Sequence, residues 1–340
     1  MAAGTGRLAP SPTGHLHLGH ARSFLLAWWH ARARGAQIVL RLEDLDVERV
    51  KPGMIAETRR DLEWLGLDWD GEVWVQSEHA EAFDAAVQQL LSRGLAYPCV
   101  CTRKEIAEAQ SAPHDAPRAT QLDTDASSNS SGNGSSTHVS QPSSEKSRYP
   151  GTCRGKYATL DEARRATGRD PAVRLMVEPG PLHLVDEFSG PFTSDVHSEV
   201  GDFPIARRAG APAYQLAVVV DDARQEVAEV VRGDDLLASA ARQHLVQRAL
   251  RLPHPRWWHV PLVTDAAGTR FAKRSDSISL EHLRTNGLDP RRLVAWVARR
   301  SGITSAEPSS AREFVSRFDM TRVPRQPVRC TPEDLAELGL

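Results

Sequence analysis

Residues 7–20, RLAPSPTGHLHLGH, contain the signals that decide the fold. Arg7-Leu8-Ala9 predicts a short strand, and the prolines and glycine after it predict a loop. A helix is predicted from about Ala21 to Arg34, because apolar side chains share one face and a glycine follows. Residues 37–42 predict a buried strand, and residues 55–65 predict a second helix. This strand–loop–helix–strand order indicates a parallel sheet with right-handed crossovers.

The composition bounds the class of protein. The 340 residues allow about two or three domains. The formal net charge of −2 excludes a globally basic coat, so any nucleic acid must bind to a local patch. Four cysteines exclude a disulfide scaffold and indicate a reducing compartment. Residues 1–14 lack a signal-peptide pattern and no apolar run approaches ~20 residues, so we expect a cytoplasmic protein that is not membrane-bound.

Residues 110–148 interrupt the ordered pattern. They contain 11 serines and no aromatic residue, so they cannot bury enough apolar area to offset their ordering entropy, and they predict a disordered insertion. Signals of order return over residues 149–262. There, Ala217–Val220 predicts a buried strand closed by two aspartates, residues 236–250 predict a helix, and residues 259–263 predict a strand.

The C-terminal part, residues 263–340, is predicted to begin with a loop over residues 264–277 and then to become helical. Between Arg284 and Cys330, ten arginines stand against four acidic residues. This local excess fits a surface for a phosphate backbone. It also fits arginines on an ordinary solvated face, and the sequence leaves both interpretations open.

The start of the first helix carries the strongest chemical signal. A helix N-terminus offers unpaired N–H groups and a positive dipole end, which suits a triphosphate. Gly19 has no Cβ and permits a close approach to the backbone. His17 and His20 are three residues apart, so they share a face and can both donate to phosphate oxygens. Two histidines at a helix start are also compatible with capping or packing.

Several separated motifs resemble one family. HLGH at residues 17–20 resembles the HIGH signature of class I aminoacyl-tRNA synthetases. Four further stretches are similar to the glutamyl branch of that class: RLAPSPTG at 7–14, LRLEDLD at 40–46, AYQLAVVVDD at 213–222 and VVRGDDL at 230–236. The resemblance covers most of the ordered chain.

The resemblance implies an α/β fold in three parts. Residues 1–97 and 206–262 would form a split Rossmann-like catalytic domain with a parallel sheet. Residues 98–205 would form an inserted, zinc-bearing domain that contains the 110–148 insertion. Residues 263–340 would hold a mobile loop and a helical region that contacts the tRNA stem, without an anticodon-binding domain.

The resemblance also implies an ATP site. The second class I signature, KMSKS, corresponds to Arg270-Phe271-Ala272-Lys273-Arg274, where Arg and Ala replace the first Lys and the first Ser. Lys273 is interpreted as the cation that stabilises the triphosphate during adenylate formation, with Arg270 as a further contact. Together with His17, Gly19 and His20, these residues would bind ATP with Mg²⁺.

Charge predicts the amino-acid pocket. A glutamate substrate has one ammonium and two carboxylates. Glu43 follows a strand and can pair with the ammonium, and Arg7 and Arg232 can each bind a carboxylate in a bidentate manner. Ser11 and Tyr214 add hydroxyl groups. In the glutamyl branch the matching positions contact glutamate, and all five match here.

Three cysteines predict a metal site, because in a reducing compartment such a group favours metal over disulfide. They stand in Cys99-Val100-Cys101 and in Tyr149-Pro150-Gly151-Thr152-Cys153. This Cys-x-Cys…Tyr-x-x-x-Cys pattern resembles the zinc site of glutamyl-Q tRNA(Asp) synthetases. That family implies one structural zinc ion on Cys99, Cys101, Tyr149 and Cys153. Cys330 is interpreted as a packing residue.

Length selects among members of the glutamyl branch, because only 66 residues follow Arg274. The expected family is therefore the truncated glutamyl-Q tRNA(Asp) synthetases, which activate L-glutamate with ATP without needing tRNA. They transfer it to the queuosine at the wobble position of tRNA(Asp). We expect a monomeric ligase of this type. The alternatives are a short glutamyl-tRNA synthetase that charges the 3′ end, and an inactive relic that binds tRNA.

Overall fold

The computed structural model describes residues 4–111, 148–269, 279–304 and 307–339. Most of the predicted disordered insertion at 110–148 lies outside the described residues, and so do Arg270 and Lys273 of the predicted mobile loop.

Strands and helices alternate through much of the described chain. The strands are β1 (Gly6–Leu8), β2 (Ile38–Leu42), β3 (Trp74–Val75), β4 (Ala96–Cys99), β5 (Ala172–Leu175), β6 (Leu182–Asp186), β7 (Gly190–Ser194), β8 (Phe203–Ala206), β9 (Glu229–Gly233), β10 (Arg256–Val260), β11 (Val263–Thr264) and β12 (Val328–Arg329). The helices are α1 (Leu18–Ala33), α2 (Met54–Trp64), α3 (Ala80–Ser92), α4 (Arg103–Ser111), α5 (Leu160–Thr167), α6 (Val196–Glu199), α7 (Tyr214–Arg224), α8 (Leu237–Leu250), α9 (Leu280–Thr285), α10 (Pro290–Arg299) and α11 (Pro332–Glu337).

The central layer is parallel, as the sequence predicts. β1 pairs with β2, and β2 pairs with β3, all in parallel. β9 and β10 form a second parallel pair. A parallel bridge between Thr5 and Val227 places β9 beside β1, and the N–H groups of Ala228 and Glu229 both donate to the Thr5 carbonyl. The order is therefore β3-β2-β1-β9-β10, with sequence-distant strands in the middle.

Helix α1 packs into the centre of the largest hydrophobic cluster. It begins at Leu18, three residues before the predicted start, because His17 caps it. Apolar residues occupy nearly its whole circumference, which is typical of a helix covered on several sides. Trp28 and Trp29 are both fully buried, and the Trp29 indole donates to the Ala311 carbonyl at 2.8 Å. The C-terminal region therefore packs directly on α1.

One predicted strand was wrong, and another has different bounds. Ala217–Val220 lies in helix α7, where all four side chains are buried. A short β-branched run that is buried on every side cannot be told from a buried helix by its pattern, and tertiary packing decides. The strand predicted over residues 259–263 instead spans Arg256–Val260, and Val263 belongs to the separate strand β11.

Between β3 and α7 the strands are antiparallel. β4, β5 and β8 form one sheet, and β6 and β7 form a hairpin. After the predicted loop, the described C-terminal part is largely helical, as predicted, and β12 pairs in parallel with β11. Within the described ranges, no helix combines the length and the hydropathy needed to span a bilayer.

Candidate active site and metal centre

One cavity of about 340 Å³ opens where β1, β2 and β9 end and α1 begins. Carboxyl ends of parallel strands and a helix N-terminus meet here, which is where open α/β sheets bind ligands. The predicted ATP- and glutamate-binding residues that the structure describes all line this cavity: Arg7, Ser11, His17, Gly19, His20, Glu43, Tyr214 and Arg232. The Glu43 N–H donates to the Pro10 carbonyl at 2.9 Å, which ties the ends of β1 and β2 together.

The two histidines cap α1 reciprocally. Nδ1 of His17 accepts from the Gly19 N–H at 3.2 Å, and Nδ1 of His20 accepts from the His17 N–H at 3.2 Å. Because each Nδ1 is an acceptor, each neutral ring carries its proton on Nε2. Nε2 is therefore the ring nitrogen through which each histidine can act as a donor. Capping and phosphate binding, which the sequence left as alternatives, are compatible here because they use different ring nitrogens.

The capping arrangement also favours glycine at position 19 for a steric reason. A Cβ at this position would lie 3.2 Å from the His17 ring, closer than ordinary contact.

Arg7 and Glu43 belong to a buried ion-pair cluster that sequence reasoning missed in part. Asp222 lies 3.0 Å from Nε of Arg7 and 2.7 Å from Nη2 of Arg41. The same Arg41 nitrogen lies 3.2 Å from Glu43. Burial by itself would lower the pKa of Arg41, but Asp222 and Glu43 outweigh it and raise that pKa. The cluster thus fixes the positions of Arg7 and Glu43 and leaves Glu43 shared between Arg41 and the cavity.

Arg232 is held differently. Its Nε–H donates to Nε2 of His259 at 2.9 Å, and Nδ1 of His259 lies 2.6 Å from Asp186. Asp186 and His259 are both buried. Burial lowers the pKa of Arg232, a group that remains protonated at neutral pH. Neither Asp186 nor His259 stood out in the sequence, because their shared contact joins positions 73 residues apart.

The remaining predicted residues shape the mouth of the cavity. Ser11 is exposed, and Tyr214, the first residue of α7, is 40% exposed. Gly233 follows Arg232, and a Cβ there would lie 2.6 Å from both Asp235 and Leu262. Asp235 and Leu262 also line the cavity. A larger residue at this position would therefore displace one or both of these side chains.

A second site is built from the three predicted cysteines and Tyr149. The sulfur atoms of Cys99, Cys101 and Cys153 all lie within 4.8 Å of one another. The Tyr149 hydroxyl lies 3.3 Å from the Cys99 sulfur and 3.7 Å from the Cys101 sulfur. Thiolates on a tetrahedral ion at ~2.3 Å stand roughly 3.8 Å apart, and the Cys101–Cys153 separation is 3.4 Å. The donor set therefore has the dimensions of a metal site.

The charge state of this cluster also favours a cation. Burial, together with the neighbouring Cys153 and Cys99, raises the pKa of Cys101 to about 12. Burial would also raise the pKa of Cys99, but the Tyr149 hydroxyl and the Arg174 guanidinium outweigh it and lower that pKa. Three neighbouring thiols ionise together when a cation balances their charge. The cluster can hold a metal ion.

The fold and the cavity define the catalytic domain of a class I aminoacyl-tRNA synthetase. The family model for class I tRNA synthetases (E and Q), catalytic domain, matches residues 5–336. A glutamate-tRNA synthetase from Elizabethkingia anophelis superposes with a TM-score of 0.77 at 22% identity. The match covers 98% of this chain and 69% of that one, and it shows a shared fold.

Curated relatives show which family within this class the chain belongs to. A glutamyl-Q tRNA(Asp) synthetase from Rhodopirellula baltica is 39% identical, with 96% of both chains covered. Another, from Nocardia farcinica, is 40% identical over 98% of this chain and 95% of its own. The chain belongs to the glutamyl-Q tRNA(Asp) synthetase family and is a ligase of the class I aminoacyl-tRNA synthetase type.

Proposed function

We propose that this protein activates L-glutamate with ATP in the absence of tRNA and transfers it to queuosine at the wobble position of tRNA(Asp). The observation that carries the proposal is one cavity lined by two arginines, a glutamate and the two histidines that cap a helix N-terminus. The first three charges complement a dicarboxylic amino acid. The helix start complements a triphosphate. The names of the relatives support the tRNA substrate.

In the activation step, an oxygen of the glutamate α-carboxylate attacks the α-phosphorus of ATP. The bond from that phosphorus to the bridging oxygen breaks, and pyrophosphate leaves with the electron pair. His17 and His20 donate from Nε2 to the phosphate oxygens, which gain charge in the transition state. Arg7 and Arg232 bind the carboxylates, Glu43 binds the ammonium, and Ser11 and Tyr214 add hydroxyl contacts. ATP would enter with Mg²⁺, and Lys273 and Arg270, which lie outside the described residues, would contact its phosphates.

In the transfer step, a hydroxyl oxygen of the queuosine cyclopentene ring attacks the carbonyl carbon of the adenylate and gives up its proton to solvent. The bond from that carbon to the phosphate oxygen breaks, and AMP leaves with the electron pair. The product is a modified nucleoside in the anticodon.

The metal site is proposed to be structural. Cys99, Cys101, Cys153 and Tyr149 would hold one Zn²⁺, which contributes folding free energy by tying together segments on either side of residues 112–147. The protein is proposed to act as a monomer.

Glutamate-dependent exchange between ATP and pyrophosphate tests the activation step. We expect exchange without tRNA, and none with aspartate or glutamine. Lys273→Ala should lower the exchange by orders of magnitude and leave tRNA binding little changed. Lys51→Ala, at an exposed position, is the matched control. Exchange that appears only after tRNA is added would favour a charging enzyme, and no exchange in either case would favour a tRNA-binding relic.

Transfer is tested with labelled glutamate and three tRNA(Asp) samples: with queuosine, without queuosine, and with queuosine but lacking the 3′-terminal adenosine. Labelling of the first and third samples alone supports the proposal. Labelling that requires the 3′ adenosine would replace it with 3′ charging.

A further inference from the structure

Asp186, at the start of the turn between β6 and β7, contacts strand β10 of the parallel layer. Asp186 is 1% exposed, and its Oδ1 accepts from the backbone N–H groups of Phe188 and Ser189 at 3.1 and 2.7 Å. The backbone N–H of His259 lies 3.2 Å from both carboxylate oxygens, and Nδ1 of His259 lies 2.6 Å from Oδ2. A carboxylate with this many donors is ionised and acts only as an acceptor.

This carboxylate fixes the tautomer of His259. Because Asp186 only accepts, Nδ1 of His259 carries a proton. Nε2 of the neutral ring then has a lone pair, and Nε–H of Arg232 donates to it at 2.9 Å. Burial lowers the pKa of His259 although the hydrogen bond to Asp186 opposes it, so the ring is neutral at neutral pH. The chain of contacts has one proton arrangement: Arg232 donates to His259, and His259 donates to Asp186.

Because His259 is neutral, it does not neutralise Arg232, and the nearest negative charges, Asp222 and Glu43, act on that guanidinium without a direct ion pair. Arg7 has Asp222 at 3.0 Å, whereas no carboxylate in the described ranges forms an ion pair with Arg232. Its Nη2 has only a long contact of 3.5 Å to the Leu236 carbonyl. Its Nη1 is buried and has no hydrogen-bond partner among the described residues. The guanidinium is thus fixed at Nε while its charge and its Nη1 donors remain for a ligand.

We infer that Asp186 and His259 are positioning residues that aim Arg232 at a carboxylate of the amino-acid substrate without neutralising it. The inference rests on the proposed function in one respect, namely that Arg232 binds glutamate. Neither residue touches the substrate. The Asp186–His259–Arg232 contacts also connect the β6–β7 hairpin to the amino-acid pocket, since Asp186 ends β6 and Arg232 lies on β9.

Asp186→Asn tests the proton arrangement with an isosteric change. Two backbone N–H groups require an oxygen at the Oδ1 position, so the new amide NH₂ takes the Oδ2 position and faces Nδ1 of His259. Nδ1 must then accept, so the ring proton moves to Nε2. There it faces the Nε–H of Arg232, and the hydrogen bond between the two side chains is lost. We expect KM for glutamate to rise about tenfold or more, with KM for ATP within about twofold.

His259→Gln and His259→Asn form a matched pair. A glutamine oxygen reaches the Nε2 position and can still accept from Arg232, whereas asparagine reaches only the Nδ1 position. We expect Asn to reproduce the KM defect for glutamate and Gln to restore most of it. Ser189→Ala is the control, because that hydroxyl donates to the His259 carbonyl in the same turn without touching the ring. Equal KM values for glutamate in the wild type, Asp186→Asn and His259→Asn would overturn the inference.

The tautomer is measured independently of activity by ¹⁵N NMR of the histidine rings, with the His259 signals assigned by their loss in His259→Gln. The wild type should show a protonated Nδ1 and an unprotonated Nε2, and Asp186→Asn should show the reverse. An Nε2–H or doubly protonated ring in the wild type would overturn the inference, whatever the substrate. Failure of glutamate-dependent exchange in the wild type would instead refute the proposed function, while the NMR result would still decide how Arg232 is held.

Discussion

Asp222→Asn should weaken both the fold and the glutamate pocket. The Asp222 carboxylate is 2.7 Å from Arg41 and 3.0 Å from Arg7, and its side chain is only 8% exposed. With an effective dielectric constant of about 20, Coulomb's law gives each pair a gross attraction of about 6 kcal/mol. Desolvation already offsets much of that attraction. Removing one charge leaves two buried guanidinium groups with less compensation, and we expect a loss of about 3–5 kcal/mol in the free energy of unfolding.

The same change should alter substrate binding. With Asp222 neutral, Glu43 at 3.2 Å becomes the main counter-charge of Arg41 and is less available to a substrate ammonium. Arg7 loses its ion-pair partner and its fixed position. We expect KM for glutamate in pyrophosphate exchange to rise about tenfold or more, since tenfold corresponds to about 1.4 kcal/mol. KM for ATP should change little, because the α1 N-terminus does not depend on this cluster.

Asp221→Asn is the matched control for this experiment. Asp221 is equally buried, but its contacts are a 2.8 Å hydrogen bond from Gln76 and a 3.8 Å ion pair with Arg224. An asparagine oxygen can still accept from Gln76, so KM for glutamate should stay within about threefold of the wild type. An Asp222→Asn variant that keeps the wild-type KM for glutamate and loses less than about 1 kcal/mol in urea unfolding would refute the reasoning.

Three further predictions concern the metal site and the stability of the fold. Cys101→Ser should reduce the zinc content of purified protein measured by mass spectrometry, and a chelator should lower Tm of the wild type more than that of the variant. Gly201→Ala should lower both zinc content and Tm, because φ is +71° and a Cβ would lie 2.4 Å from the Tyr149 carbonyl oxygen; unchanged values would contradict this packing. Burial, with a smaller effect from stacked His254, lowers the pKa of His244 to about 4. Its unfolded pKa is about 6.5, so the unfolded state takes up a proton first, and the free energy of unfolding should fall as pH drops from about 6.5 to 4. His244→Gln should lose less stability between pH 7 and pH 5 than the wild type, and equal losses would show that other groups dominate.

The local signals of the sequence predict the catalytic layer well. The proline–glycine loop, the HLGH start of α1 and the alternation of strand and helix signals predict a parallel sheet, and β1 and β2 pair in parallel. The five family motifs together predict eight residues that line one cavity. These features are predictable because they depend on short segments whose backbone requirements are local.

The residues that hold the site in place were not predictable in the same way. Asp222 closes an apolar run and suggested the end of a strand, whereas it lies in a helix and pairs with Arg7 and Arg41. The roles of His259 and Asp186 depend on their contact with each other. Partners that meet only in the folded chain leave no periodic signal, and a buried β-branched run fits helix and strand equally well. Sequence reasoning therefore identified the residues that face the cavity better than those behind them.

The position of β9 between β1 and β10 has a consequence during synthesis. β1 ends at residue 8 and β9 begins at residue 229, so about 220 residues separate two neighbours in the layer. At ~5–20 residues per second a ribosome needs roughly 10 to 45 seconds to produce that interval. For that time one edge of β1 has no partner strand, and an unpaired edge invites pairing with another chain. The nascent chain is therefore expected to depend on chaperones until Gly233, the end of β9, has left the exit tunnel.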